Sequence, residues 1–178
     1  PLNLEATTIH FEENNYYGLG KENLNFFAQG VMPATDFDGN LLLASQDNLA
    51  LSPNGHGGSL KALIDSGSIT DMAQRGVEHV SYFQVDNPLV SIINPLFIGL
   101  HDLQTSDMSS RSLTKTGPFE KLGNFVSTGD RISIIEYSDL PEEKALEKEE
   151  DGRIKYRAGS PAIHILRRDF IEQFASGE

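Results

Sequence analysis

The 178 residues include no cysteine, so a disulfide framework and thiolate metal sites are both excluded. No apolar run is long enough to span a bilayer, and no signal-peptide pattern occurs. Cations are scarce: 14 Lys and Arg face 26 Asp and Glu, for a net charge of −12. That balance argues against a nucleic-acid partner, which needs a basic face, and against docking on anionic membranes. No Ser/His/Asp or Cys/His nucleophile constellation is evident. His10, His79, His101 and His164 are scattered without metal-ligand spacing and read as structural. The expectation is a cytoplasmic protein that engages neither nucleic acid nor membrane.

What is present is an ordinary globular balance, with 38% hydrophobic and 22% charged residues, enough for one domain with a sizeable core. Helical signals fall at Glu5–Asn14, with Thr7 or Thr8 as caps, at Glu22–Ala28 before Gly30, and at Ser59–Asp65 and Ile69–Arg75, which Gly67 and Gly76 punctuate. Further helices are predicted at Asn94–Leu103, with Pro95 in the first turn, and at Arg168–Ala175. Extended pieces are predicted at Val31–Phe37 and Leu41–Ala44 around the turn Asp38-Gly39-Asn40, at Val77–Val85, at Ser109–Lys115 and at Ala162–Leu166. Asn124–Ser127 and Arg131–Tyr137 flank Thr128-Gly129-Asp130 and read as a hairpin. The charge run around 141–151 reads as a solvated short helix or loop. Helices alternating with strands predict an α/β layered domain, and the hairpin makes its sheet mixed.

Four places carry candidate chemistry. Val77–Val90 reads as a buried strand ending in Asp86, where open α/β sheets hold ligands. Mg²⁺ takes one or two carboxylates plus phosphate oxygens and waters, so a single Asp is an adequate contribution; the plainer reading is a turn former before Asn87-Pro88. Asn54-Gly55-His56-Gly57-Gly58 lets backbone approach a base or sugar closely, with Ser59 and Leu60 then opening a helix; the plainer reading is a tight surface turn. Glu136 and Tyr137 end a strand, where a carboxylate can accept hydrogen bonds from sugar hydroxyls or simply be exposed. Gln29 can read a nucleobase edge with one donor and one acceptor, or be an ordinary polar residue near a helix end.

Taken together and in order, these pieces resemble the UDP-sugar pyrophosphorylases, with the greatest similarity to the enzymes for UDP-N-acetylglucosamine and other UDP-N-acetylhexosamines. The matching blocks are Phe26–Ala34, Phe37-Asp38-Gly39, Pro53–Gly58, Asp71-Met72 with Arg75-Gly76, Val85-Asp86-Asn87, Pro95–Gly99, Val126 onward to Glu136-Tyr137-Ser138, and Asp151-Gly152-Arg153 before Ala158-Gly159. The resemblance implies a three-layer Rossmann-like, GT-A-like nucleotidyltransferase domain, here incomplete. It implies that UTP and a sugar 1-phosphate give a UDP-sugar and pyrophosphate, with Mg²⁺ as cofactor. By the family pattern Gln29 and Gly55 contact the uridine. Asp86 serves the nucleotide and its metal and is the catalytic residue. His56, Gly123, Glu136, Tyr137 and Ser160 line the sugar side.

Two positions depart from the N-acetylglucosamine pattern: His56 stands where Asn is expected in the glycine turn, and Ser160 where Asn follows Ala-Gly. The family's Gly-Gly loop with its Thr-Arg, and its later phosphate-binding lysines, do not occur in these residues. The expectation is therefore a central fragment of the catalytic domain, inactive by itself, with an open sheet edge that favours self-association. The alternative is a non-catalytic UDP-sugar-binding or interaction domain.

Overall fold

A computed structural model describes residues 3–176. In chain order the elements are helix α1 (Leu4–Glu13), the short strands β1 (Val31–Pro33), β2 (Leu43–Ser45), β3 (Asn48–Leu49) and β4 (Leu51–Pro53), then helices α2 (Gly55–Asp65) and α3 (Ser68–Gln74). There follow β5 (His79–Tyr82), α4 (Pro95–Leu103), β6 (Met108–Ser110), β7 (Leu113–Thr114), β8 (Gly123–Thr128) and β9 (Arg131–Ile135). The chain continues through α5 (Glu142–Ala145), β10 (Ala158–Ser160), β11 (His164–Arg167) and α6 (Arg168–Ser176). The fold is mixed α/β. It divides into two compact units, one running to Glu78 and resuming at Arg168, the other His79–Arg167.

In the first unit α2 and α3 pack against α6. Ala62, Leu63, Ile69 and Ile171 form its buried apolar centre; full burial of Ile171 contributes about 2 kcal/mol. Gly67, with φ +77°, turns the chain between α2 and α3. The predicted helix at Glu22–Ala28 is absent. A single 3₁₀ turn at Lys21–Asn23 gives way to extended chain. Long-range bonds hold it so: Arg75 donates to Asn23 Oδ1 at 2.9 Å, and Asn25 donates to Ser68 Oγ at 2.5 Å. Tertiary contacts here override a weak local propensity. The turn at Asp38-Gly39-Asn40 forms as expected, organised by Asp36, whose carboxylate accepts from Asp38 N and Asn40 N, both at 2.9 Å. The Asn40 side chain, which donates to Asp36 Oδ2 at 3.0 Å, and these backbone bonds hold its pKa below the ordinary carboxylate value.

In the second unit β5, β11 and β6 form one sheet, and β7, β10, β8 and β9 another, in those orders. A mixed sheet is expected from the sequence. Every strand pairing among the described residues is instead antiparallel, although β5 and β6, on either side of β11, run in the same direction. The predicted strand at Ser109–Lys115 is two strands in two sheets. It breaks at Arg111-Ser112, opposite the break at Pro161–Ile163 that separates β10 from β11. The strand predicted at Val77–Val85 shortens to His79–Tyr82, because β11 offers only four partners and Asn87 N already bonds Gln84 O to close a turn. It is half-buried at the sheet edge rather than buried. The hairpin β8–β9 turns at Gly129-Asp130, with Gly129 at φ +78°, a position that glycine fills without strain.

α4 starts as predicted: Asn94 Oδ1 accepts from Phe97 N at 3.0 Å, and Pro95 occupies the first turn. The charge run becomes α5 followed by a turn closed by Lys148 and Ile154. In that turn Asp151 is bonded by Arg153, which pulls its pKa down to about 2. Among the described residues no helix is long and apolar enough to cross a membrane.

Candidate functional site

The first unit carries a cleft of about 370 Å³ whose lining includes Phe27, Gln29, Gly30, Asn54, Gly58 and Lys61. The extended segment at Gln29-Gly30 runs into β1, and the β1–β4 pairing Val31↔Pro53 carries Gly30 to Asn54; Asn54 N donates to Gly30 O at 3.1 Å. The glycine turn differs from the sequence expectation. Helix α2 does not open at Ser59-Leu60 but at Gly55, so Gly55, His56, Gly57 and Gly58 are its first turn. Asn54, the residue before the helix, does not cap it with its side chain. Its Oδ1 instead accepts from Gln29 Nε2 at 2.9 Å, and the same Nε2 donates to the Gly55 carbonyl. The glycines explain themselves here. A Cβ on Gly58 would fall inside the Asn54 side chain, and one on Gly30 would stand 2.8 Å from Asn54 Nδ2. Gly55 has φ +79°, which a residue with a side chain adopts only with strain. Gln29 and Gly55, far apart in sequence, are thus in direct contact, and His56 is exposed on the same helical turn.

The second unit gathers three of the sugar-side candidates. Gly123 on β8 and Ser160 on β10 are register partners, and both are buried. A Cβ on Gly123 would stand 3.6 Å from Ser160 Cβ, 3.7 Å from Glu136 Oε1 and 2.8 Å from the Ile134 side chain. Gly123, Glu136 and Ser160 therefore share one face of the sheet, with an exposed carboxylate over a bare glycine floor. The adjacent Tyr137 does not join them. It lines a cavity of about 190 Å³ with Lys115, Pro118, Phe119, Asn124 and Leu140, on the side of β8 to which Asn124 rather than Gly123 belongs.

Asp86 lies in the exposed turn after β5, and its carboxylate makes no hydrogen bond or ion pair among the described residues. The pair Tyr82↔His164 sets the end of β5 beside the start of β11, and Pro161–Ile163 joins that start to Ser160. Asp86 and the Ser160 strand thus leave from the same end of their neighbouring strands. No group of three or more His, Cys, Asp or Glu that could hold a metal exists among the described residues. One free carboxylate fits Mg²⁺ only as a partial ligand set, with phosphate oxygens and waters completing it.

Over residues 3–159 the chain matches the family described as UTP–glucose-1-phosphate uridylyltransferase. The chain belongs to this family. Among relatives of the uridylyltransferase family, the UDP-N-acetylglucosamine pyrophosphorylase of Saccharomyces cerevisiae is 35% identical over 169 residues, 94% of this chain and 35% of that protein. The human UDP-N-acetylhexosamine pyrophosphorylase-like protein 1 is 36% identical over 169 residues, 95% of this chain and 33% of its own length. A solved structure from Entamoeba histolytica superposes with a TM-score of 0.83 at 32% identity, over 98% of this chain and 44% of that one. A UDP-N-acetylglucosamine pyrophosphorylase from Trypanosoma brucei, solved with an inhibitor, gives a TM-score of 0.82 at 24% identity, over 98% and 35%; that likeness speaks for the fold. The chain spans about a third of the length of the curated relatives it matches.

Sequence reasoning passes over two features of this family member's site. Asn54 is one: an Asn directly before a glycine-rich helix start is the signal for it, though its side chain turns to Gln29 instead of its own helix. The other is a buried pair behind the face that carries Gly123, Glu136 and Ser160. Lys115 is 5% exposed and Asn124 0%. Lys115 Nζ donates to Asn124 Oδ1 at 2.7 Å and to Pro118 O at 3.2 Å. Burial among apolar and neutral groups, only partly offset by Glu120, lowers the Lys115 pKa. No local pattern marks either residue.

Proposed function

We propose that the whole protein is a UDP-sugar pyrophosphorylase: it transfers uridylyl from UTP to a sugar 1-phosphate, giving a UDP-sugar and pyrophosphate. The observation that carries this reading is the convergence of Gly123, Glu136 and Ser160 on one face, in a chain of the uridylyltransferase family. In the reaction a phosphate oxygen of the sugar phosphate attacks the α-phosphorus of UTP in line. The bond from that phosphorus to the bridging oxygen breaks, and pyrophosphate leaves with the electron pair. Such chemistry needs positioning and charge stabilisation rather than a protein nucleophile.

In this reading Gln29 and the Gly55 backbone bind the uracil edge, and Gln29 is pre-oriented by Asn54. Glu136 accepts hydrogen bonds from sugar hydroxyls, Gly123 leaves room for the ring, Ser160 completes that face, and His56 is a further sugar contact; Tyr137, on the opposite face, is not one. Asp86 would hold Mg²⁺, which would supply positive charge to offset that of the phosphates. In this reading the 178 residues are part of a Rossmann-like nucleotidyltransferase domain of three layers, working in the cytoplasm. By the family pattern a cationic loop cradles the triphosphate; its residues do not occur among these 178, which are expected to be inactive alone. Self-association through the outer strand β9 belongs to the same reading.

The sugar is N-acetylglucosamine or glucose. The relatives' names favour the first, while His56 and Ser160 depart from that pattern. Adding or removing one well-placed hydrogen bond changes discrimination between substrates strongly. In the full-length protein, His56→Asn is expected to shift the ratio of kcat/KM for N-acetylglucosamine and glucose 1-phosphates about tenfold toward the acetylated sugar. An unchanged ratio would show that His56 does not select the sugar.

A further inference from the structure

Lys115 has an unusual set of neighbours. Its Nζ bonds Asn124, which follows Gly123. Asn124 Nδ2 in turn donates to the carbonyl of Ile135 at 3.2 Å, and Ile135 precedes Glu136. A Cβ on Gly159, which precedes Ser160, would stand 3.1 Å from Lys115 Cγ, so the lysine stem lies directly against that backbone. One buried side chain thus reaches, directly or through Asn124, the immediate neighbour of each of the three residues that share the sugar-side face. It does so from beneath, because successive residues of a strand face opposite sides.

We propose that Lys115 is a positioning residue for the sugar subsite: through Asn124 and the Ile135 carbonyl it fixes the spacing of Gly123, Glu136 and Ser160. This role rests on the reading of that face as the sugar side. Lys115 itself touches no substrate. Its charge has no carboxylate in hydrogen-bonding contact, only the Asn124 amide oxygen and the Pro118 carbonyl. A buried cation so placed is costly for stability alone, and a neutral apolar residue of the same length would fill the space. The three-way grip on β8, β9 and β10 is what methionine would not supply.

The test uses the full-length protein with UTP, Mg²⁺ and N-acetylglucosamine 1-phosphate. Lys115→Met is expected to raise KM for the sugar phosphate about tenfold while leaving KM for UTP within about twofold, since small misplacements of positioning groups are expensive. Asn124→Ser interrupts the same chain at its next link and should give the same selective rise; it decides alone if the methionine variant does not fold. A variant in which the melting temperature falls but both KM values stay put, or rise together, makes Lys115 a stability residue and overturns the proposal. Glu136→Gln separates the two levels. A strong sugar effect there with none in either relay variant overturns the positioning role alone. No sugar effect in Glu136→Gln overturns the sugar-side reading and the positioning role with it.

Discussion

Asp86→Asn is expected to cut turnover of the full-length protein by about a hundredfold or more, with a melting temperature close to that of the unchanged protein. The two side chains are nearly isosteric, and Asp86 is exposed in a turn where its carboxylate has no partner among the described residues, so the fold should be retained. Asparagine removes the negative charge that would attract Mg²⁺ beside the triphosphate. Excess Mg²⁺ should therefore recover part of the loss. Turnover against Mg²⁺ concentration, with a melting curve for each form, decides the matter. Near-normal turnover with an unshifted Mg²⁺ dependence in the folded variant would reduce Asp86 to a turn former.

Gly58→Ala should strike the other substrate. Its Cβ would enter the space of the Asn54 side chain, so that side chain must move. Displacing it removes the acceptor that orients Gln29. KM for UTP is expected to rise about tenfold, with KM for the sugar phosphate within about twofold. Asn54→Ala should reproduce the UTP effect, because it removes the same acceptor without adding a clash. Equal changes for both substrates would mean that the alanine disturbs the fold of the unit rather than the base-binding pocket. Gly58→Ala and Lys115→Met thus make opposite predictions about which substrate suffers.

Much of the helical framework is legible in the sequence because its signals are local. Asn94-Pro95 starts α4, Gly67 and Gly76 bound α3, and the Gly129-Asp130 turn fixes the β8–β9 hairpin. The errors arise where distant residues decide. The segment predicted helical at Glu22–Ala28 forms no α-helix because Arg75 and Ser68 hold its asparagines. The segment at Ser109–Lys115 breaks because its partner segment breaks at the same level. β1 to β4 are two- or three-residue strands, too short for alternation to show.

At the site, the residue types were readable, and their grouping came from the family resemblance rather than from any local pattern. Gln29 beside Gly55, and Gly123 beside Ser160 and Glu136, depend on tertiary pairing rather than on any local pattern. The separation of Tyr137 from Glu136 follows from strand alternation once the register is known. Lys115 looks like any surface lysine in the sequence, and only its burial marks it.

Uridylyl transfer is read by pyrophosphate release. Full-length protein incubated with UTP, Mg²⁺ and either N-acetylglucosamine 1-phosphate or glucose 1-phosphate should release one pyrophosphate for each UDP-sugar formed, and none when the sugar phosphate is withheld. A folded protein that binds UDP-sugar yet forms neither product with either sugar phosphate would be a binding protein and not a uridylyltransferase.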